Sequence, residues 1–164
     1  MSDFHLLLEE QIPQLMRYAS ALTRDADEAA ELVEDTVHEA LADERHCRSS
    51  GDIRVRLLTI LHDLHGNPFR QPGGPFSPPQ RDPRANLTLS QLDRALGRIP
   101  EEQRAVILLI GLEGMSYDDT AAILRIPLGT MRSRLARGRA NLRELMGVAK
   151  KARAARGADA AHAA

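Results

Sequence analysis

Tryptophan is absent from this chain of 164 residues, and aromatic residues make up only 3% of it. Leucine, alanine and arginine dominate, while runs of valine, threonine and tyrosine are few, so strands find little support and an all-helical protein is expected. Cysteine occurs once, as Cys47. That excludes an intramolecular disulfide, and one cysteine beside His46 makes no zinc site, so Cys47 reads as a structural or incidental thiol. No window approaches the ~18 to 20 consecutive apolar residues of a membrane span, and the N-terminus carries acids where a secretory leader would be basic. The expectation is a cytoplasmic protein with no membrane insertion. No Ser/His/Asp, Cys/His, metal-ligand or glycine-loop constellation occurs, which leaves an enzyme as the weakest reading, with no cofactor and no metal expected.

What is present is a globular composition, 43% hydrophobic and 27% charged, with a net charge of -1 that conceals an asymmetry. Residues 1–66 carry 14 acids and 6 bases, a net of -8, and residues 67–164 carry 9 acids and 16 bases, a net of +7. The basic half suits a polyanion. The acidic half needs a partner of another kind.

The most informative stretch is 116–143, SYDDTAAILRIPLGTMRSRLARGRANLR. Ser116 stands three residues before Asp119, a near match to a capping box, and the apolar run Ala121, Ala122, Ile123, Leu124 follows. Arg125, Ile126 and Pro127 then break the helix, because proline cannot donate to the ladder and biases its predecessor away from helical geometry. A second helix is expected to restart near Thr130. At about 100° per residue its apolar stripe is Met131, Leu135, Leu142 and Leu145, and the opposite side carries Arg132, Ser133, Ala136, Arg137, Ala140 and Arg143. From Arg125 to Arg143 there are six arginines and no acid. A merely solvated helix mixes both signs to gain i,i+4 pairs, so this segregation points to duplex DNA in helix-turn-helix order. Arginine's planar fork suits that role, since it can bind a phosphate or a guanine edge with two hydrogen bonds.

Residues 66–86 hold six of the nine prolines and three glycines, a density no helix survives. They read as an extended linker between two small helical modules, 1–65 and 87–146. The N-terminal module has three helical patterns. Phe4, Leu7, Leu8, Leu15, Ala19 and Leu22 form one stripe, with Pro13 expected to bend or interrupt it. A second pattern, 27–42, places Ala29, Leu32, Val33, Thr36, Val37 and Ala40 on one side and Asp27, Glu28, Glu31, Glu34, Asp35 and Glu39 on the other. The third, 52–65, is the most apolar and should be the central helix. Each module alone is near the lower size limit for independent stability. The C-terminal module opens with Leu89, Leu92, Leu96 and Ile99, and Pro100 seeds the next helix, with Glu101 and Glu102 in its first turn. Residues 147–164, AKKARAARGADAAHAA after Gly147 and Val148, read as a frayed helix ending in disorder.

Three segments resemble the extracytoplasmic-function (ECF) group of bacterial sigma-70-type sigma factors, which keep only regions 2 and 4. DADEAAELVEDTVHEAL (25–41) is similar to the region 2 pattern D-A-E-D-L-V-Q-D-T-F-L-R-A, and VRLLTILHDL (55–64) to the helix W-L-F-T-I-L-R-N-L. LDRALGRIPEEQRAVILLIGLEGMSYDDTAAILRIPLGTMRSRLARGRANLREL (92–145) is similar to region 4 and is the most specific of the three.

The resemblance implies a sigma factor that confers promoter specificity on core RNA polymerase, with stress response as the usual setting and an anti-sigma factor as a partner. It implies that region 4 reads the minus-35 element through Arg132, Ser133, Arg134 and Arg137, with Thr130 at the helix start, and meets the polymerase flap. Arg134 lies at the flank of the exposed face, which suits a phosphate contact better than a base contact. For region 2 it implies that Glu31, Glu34 and Asp35 dock on the coiled coil of the largest polymerase subunit. The minus-10 element would be met around 44–52 and 62–70, which brings forward Arg54, Arg56, His62, His65 and Asn67, although His62 and His65 suit half-buried helix positions equally well. Here the chain departs from the pattern. Arg56 stands where the usual tryptophan would be, aromatics for stacking an extruded base are scarce, and HGNPFRQPGG replaces the customary basic tail. Two competing readings remain: a sigma-like mimic that binds an anti-sigma factor without productive DNA binding, and a plain helix-turn-helix repressor, which would leave the acidic module unexplained.

Overall fold

The computed structural model describes residues 3–49, 52–67 and 87–162. Among them there are eight helices and no strand, as the composition requires. The proline-rich stretch 68–86 lies outside the described residues.

Helix α1 (Asp3–Thr23) buries Phe4, Leu8, Leu15, Tyr18, Ala19 and Leu22. Pro13 sits inside it on the exposed side and does not end the helix, since the donor it removes faces water rather than the core. Leu7, expected in the stripe, is 48% exposed. Tyr18, not named in that stripe, is fully buried beside it, three residues from Leu15 and four from Leu22. The chain leaves α1 through Arg24, a left-handed residue at φ 62. Asp25 then caps α2 (Ala26–Ala42), its side chain accepting from the N–H groups of Asp27 and Glu28 at 2.9 Å each. Ala29, Leu32, Val33, Thr36 and Ala40 are buried on the predicted side of α2. A short α3 (Glu44–Ser49) brings Cys47 inside, and Asp52 caps α4 (Ile53–His65) by accepting from the Arg54 N–H at 2.9 Å. Leu57, Leu58, Ile60 and Leu61 make α4 the central helix of this half.

After the undescribed stretch come α5 (Leu87–Arg98), α6 (Glu101–Gly111), α7 (Tyr117–Ile123) and α8 (Leu128–His162). Beyond Gly147, where fraying is predicted, α8 runs on as helix to His162. Its alanine, lysine and arginine content carries the helix past the glycine by intrinsic propensity.

The two halves are not separate in space. One core cluster joins Phe4, Leu8, Leu15, Leu22, Leu57 and Leu61 to Ala105, Leu108, Leu109, Met115 and Ile123. Helix α1 packs on α6, and α4 packs on α7. Sharing a core relieves the size limit that each half would face alone, since each leucine buried this way contributes about 1.5 to 3 kcal/mol. Polar pairs stitch the same boundary: Arg24 to Asp93 (3.1 Å), Arg17 to Glu113 (3.0 Å), His65 to Glu101 (2.8 Å) and Arg125 to Asp63 (2.7 Å). A second, smaller cluster of Val106, Ala121, Met131 and Leu135 holds α8 against α6 and α7.

Candidate nucleic-acid interface

Ser116 starts the first helix of the motif as its pattern predicts, with Oγ accepting from the Asp119 N–H at 3.0 Å. The turn forms where Pro127 requires it. Leu124 and Arg125 donate backward to Thr120 O (3.1 Å) and Ala122 O (3.1 Å), and Ile126 donates to Ala121 O (3.0 Å). Arg125 occupies the left-handed region at φ 51, a position that favours glycine. A side chain is kept there, and it is used. Its guanidinium makes a bidentate contact with Asp63 of α4, Nε to Oδ1 and Nη2 to Oδ2 at 2.7 Å each. That hydrogen bond holds the Asp63 carboxyl below its usual range.

Helix α8 begins at Leu128, two residues before the predicted restart, because Pro127 O already accepts the Met131 N–H at 3.0 Å. Met131 and Leu135 are buried and fix its rotation. Thr130, Arg132, Ser133, Ala136, Arg137, Ala140 and Arg143 are consequently exposed on the other side, while Arg134 is half-buried at the flank. The helical-wheel reading and the observed exposure agree for the polar face and for Met131 and Leu135, while Leu142 and Leu145 of the predicted stripe are half-buried. Three features of this site escape sequence reasoning. Gly138 is buried where α8 crosses α6, and a Cβ there would meet Ile107 Cδ1 at 2.7 Å. Asn141 Nδ2 donates to Gln103 Oε1 at 2.9 Å. Arg134 Nη2 pairs with Glu102 Oε2 at 2.9 Å. The first two register α8 on α6, and the third sits on an open groove of about 410 Å³ lined by Glu102, Gln103, Gly129, Thr130, Ser133, Arg134 and Arg137. A hydrophobic period identifies none of them, because each is a tertiary partner of a residue on another helix.

On α2, Glu34 and Asp35 are exposed, as is Glu39. Glu31 departs from the expectation of a uniform acidic face. It is half-buried, and its Oε2 atom is shielded from solvent without a hydrogen-bond partner among the described residues.

The residues brought forward for the minus-10 element stand differently. Arg54 donates to the Glu113 backbone oxygen at 2.8 Å and lies 3.5 Å from that residue's carboxylate. Arg56 reaches Asp43 at 3.3 Å, and His65 lies between Glu101 (2.8 Å) and Glu28 (3.7 Å). His62 is half-buried, its Nε2 2.6 Å from the Tyr18 hydroxyl. Burial lowers the His62 pKa to about 4 and pushes the Tyr18 phenol up, so at neutral pH both partners of this contact are uncharged. Asn67 is exposed beyond the end of α4. Arg54, Arg56, His62 and His65 are thus drawn into contacts within the folded chain, where α4 packs against α1, α2 and α7. Glu113 is absent from every sequence expectation, yet its side chain is 2% exposed, between Arg17 and Arg54. A lone acid in a connecting loop carries no sequence signal of burial.

Among the described residues no helix is long and apolar enough to cross a membrane, and no cluster of three or more His, Cys, Asp or Glu is arranged to hold a metal.

Residues 89–142 match the family model "Sigma-70, region 4", and residues 8–62 match the "Sigma2 domain of PhyR". The chain is 31% identical over 145 residues to the ECF RNA polymerase sigma factor EcfG of Rhodopseudomonas palustris, covering 82% of this chain and 80% of the relative. It is 33% identical over 145 residues to the ECF RNA polymerase sigma factor SigM of Mycobacterium tuberculosis, covering 84% and 72% respectively. Among solved structures, the sigma factor RpoE from Bartonella quintana, in complex with the anti-sigma factor NepR, superposes with a TM-score of 0.72 at 30% identity. That match covers 90% of this chain and 99% of the other.

Proposed function

Because this chain belongs to the ECF group of RNA polymerase sigma factors, we propose that it binds core RNA polymerase and directs it to promoters through minus-35 and minus-10 recognition. The observation that carries the reading is the exposed face of α8. Arg132, Ser133 and Arg137 project from a helix whose rotation is fixed by Met131 and Leu135, in the order of a helix-turn-helix reader. The minus-35 element is read there, with Thr130 and Arg134 toward the phosphates. Glu34 and Asp35 form the exposed part of the polymerase dock on α2, and the protein acts in the cytoplasm, where polymerase is.

Minus-10 reading by Arg54, Arg56, His62, His65 and Asn67 requires a rearrangement. In the closed arrangement Arg54 and His65 face region 4 through Glu113 and Glu101, so these two become available only when the halves part. An anti-sigma factor is the proposed regulator, supported by the likeness to a sigma factor solved with one bound.

A second reading has its own support. Residues 8–62 match the Sigma2 domain of PhyR, and the region around α4 is poor in aromatic residues for stacking an extruded base, which fits a sigma-like protein that captures an anti-sigma factor without initiating transcription. Run-off transcription with purified core polymerase, on a template library carrying randomised upstream sequence, separates the two. Defined transcripts that depend on the added chain support the sigma factor. Tight anti-sigma binding with no transcript supports the mimic.

A further inference from the structure

Five arginines lie on α8 from 132 to 143. Among the described residues, Arg134 is the one of these with a carboxylate partner: Glu102, at 2.9 Å. Glu102 stands in the first turn of α6, where the helix dipole favours its charge. The pair forms one wall of the groove that Thr130, Ser133 and Arg137 also line. An acid is therefore built into a surface that is otherwise basic. Its position matters because a phosphate approaching the flank of α8 meets Arg134 and Glu102 together, not a free cation.

We propose that Glu102 is a positioning and specificity-setting residue for DNA recognition by α8. Resting on the minus-35 reading above, the inference deepens it. The guanidinium of Arg134 has five N–H donors in a rigid plane. With one edge held by Glu102, the remaining donors point in a fixed direction toward a phosphate in the correct register. The carboxylate also cancels most of the attraction that Arg134 would exert on any passing backbone. Sequence-independent binding is lowered, while the base contacts of Arg132 and Arg137 are left intact. Charge at a DNA interface acts on every sequence alike, so removing some of it raises the ratio of specific to non-specific affinity.

The test uses the full chain, a duplex selected from a random pool by the wild-type protein, and a scrambled duplex of the same composition, with affinities measured by anisotropy across a salt series. In Glu102→Gln, freeing Arg134 should steepen the salt slope by about 0.9, equivalent to about 3.5-fold more affinity lost between 50 and 200 mM salt. Affinity for the scrambled duplex should rise more than affinity for the selected one, so their ratio falls. Glu9→Gln removes the same charge from an exposed site on α1 and should change neither quantity. If Glu102 acts through Arg134, its substitution should have no further effect in an Arg134→Ala background. An exposed pair contributes little to stability, so the fold should persist, as a thermal melt will verify.

An unaltered slope and ratio in Glu102→Gln, or the same change with Arg134 absent, would overturn the assignment. Failure of the minus-35 reading looks different: the wild-type chain enriches no sequence, or the selected duplex binds Arg132→Ala and Arg137→Ala as well as wild type.

Discussion

Arg125 and Asp63 meet through two hydrogen bonds of 2.7 Å, so the turn of the helix-turn-helix is tied to the outer side of α4. Each residue belongs to a different half of the chain. The contact explains why an arginine is kept at a left-handed turn position that glycine would occupy without strain. It also links the turn of the recognition motif to the boundary between the halves, which other polar pairs bridge as well. The core beneath them, from Leu57 and Leu61 to Leu109 and Ile123, is apolar. Polar pairs at its edge add direction to that non-directional contact.

Asp63→Arg should therefore loosen the closed form, because two guanidinium groups would then face each other where a bidentate pair stood. Small-angle scattering should report a larger radius of gyration, more so at low salt, where repulsion is unscreened. The swap Asp63→Arg with Arg125→Asp should restore compaction, aspartate being one of the few residues that tolerate the left-handed region. A single variant with the wild-type radius at all salt concentrations would assign closure to the apolar core alone.

Arg132→Ala and Arg137→Ala should each weaken binding to a selected duplex by about 1 to 3 kcal/mol, the range of a good bidentate base contact. Both side chains are exposed, so thermal melts should match wild type. Arg143, almost two turns beyond Arg137, should matter less. Wild-type affinity in both variants would remove α8 from the recognition role.

How far the sequence carries toward this site depends on the kind of signal each residue leaves. Met131, Leu135 and the arginine face follow a 3.6-residue period, and Ser116 and Pro127 are local punctuation, so the motif is legible in the amino-acid order alone. Leu7 is misplaced by the same kind of reading, because a stripe drawn on a wheel does not say how wide the covering neighbour is. Glu113, Glu102 and Gln103 leave no signal, because their importance comes from Arg54, Arg134 and Asn141 on other helices. His62 and His65 suit two roles on sequence grounds. The choice between them depends on whether α4 is covered, which only the packing of α1 and α7 determines.

If the exposed acids of α2 are the polymerase dock, Glu34→Lys with Asp35→Lys should abolish association with core polymerase at physiological salt while leaving binding to a selected duplex unchanged. The two activities should fail independently, since α2 lies in the half opposite α8. Pull-down of core polymerase at the wild-type level by the double variant would move the dock elsewhere, because exposed charges outside an interface change little.

Replacing Arg54 by alanine should destabilise the folded chain more than a surface arginine change would. Glu113 is 2% exposed, and the substitution removes both a 2.8 Å hydrogen bond to its backbone oxygen and one of two guanidinium groups beside its carboxylate. Breaking one partner of a buried pair costs about 3 to 5 kcal/mol when nothing replaces it. Here Arg17 remains at 3.0 Å and is half exposed, so a loss of roughly 1 to 3 kcal/mol is expected in urea unfolding. A loss below about half a kcal/mol, the range of ordinary surface substitutions, would show that the carboxylate is hydrated once Arg54 is gone.

The Tyr18–His62 contact predicts an acid limb in stability. Burial holds His62 near a pKa of about 4 in the folded chain, whereas the unfolded imidazole titrates near 6.5. Between those values the unfolded state binds the extra proton, so stability rises with pH across the window. The contribution is fully present above about pH 6.5 and is lost progressively as the pH falls toward 4, with a magnitude of roughly 3 kcal/mol. Protonation would also place a charged ring 2.6 Å from the buried Tyr18 hydroxyl. Denaturant midpoints measured from pH 7.5 to 4.5 should fall steadily below pH 6.5 in the wild type. His62→Gln, uncharged throughout, should flatten that decline even though its stability at pH 7.5 is lower, because glutamine has no proton to gain. Carboxylates titrating lower in the range set the remaining slope in both proteins. Parallel curves for the two would place the His62 ring in contact with water and end the account of Tyr18 and His62 as a buried neutral pair.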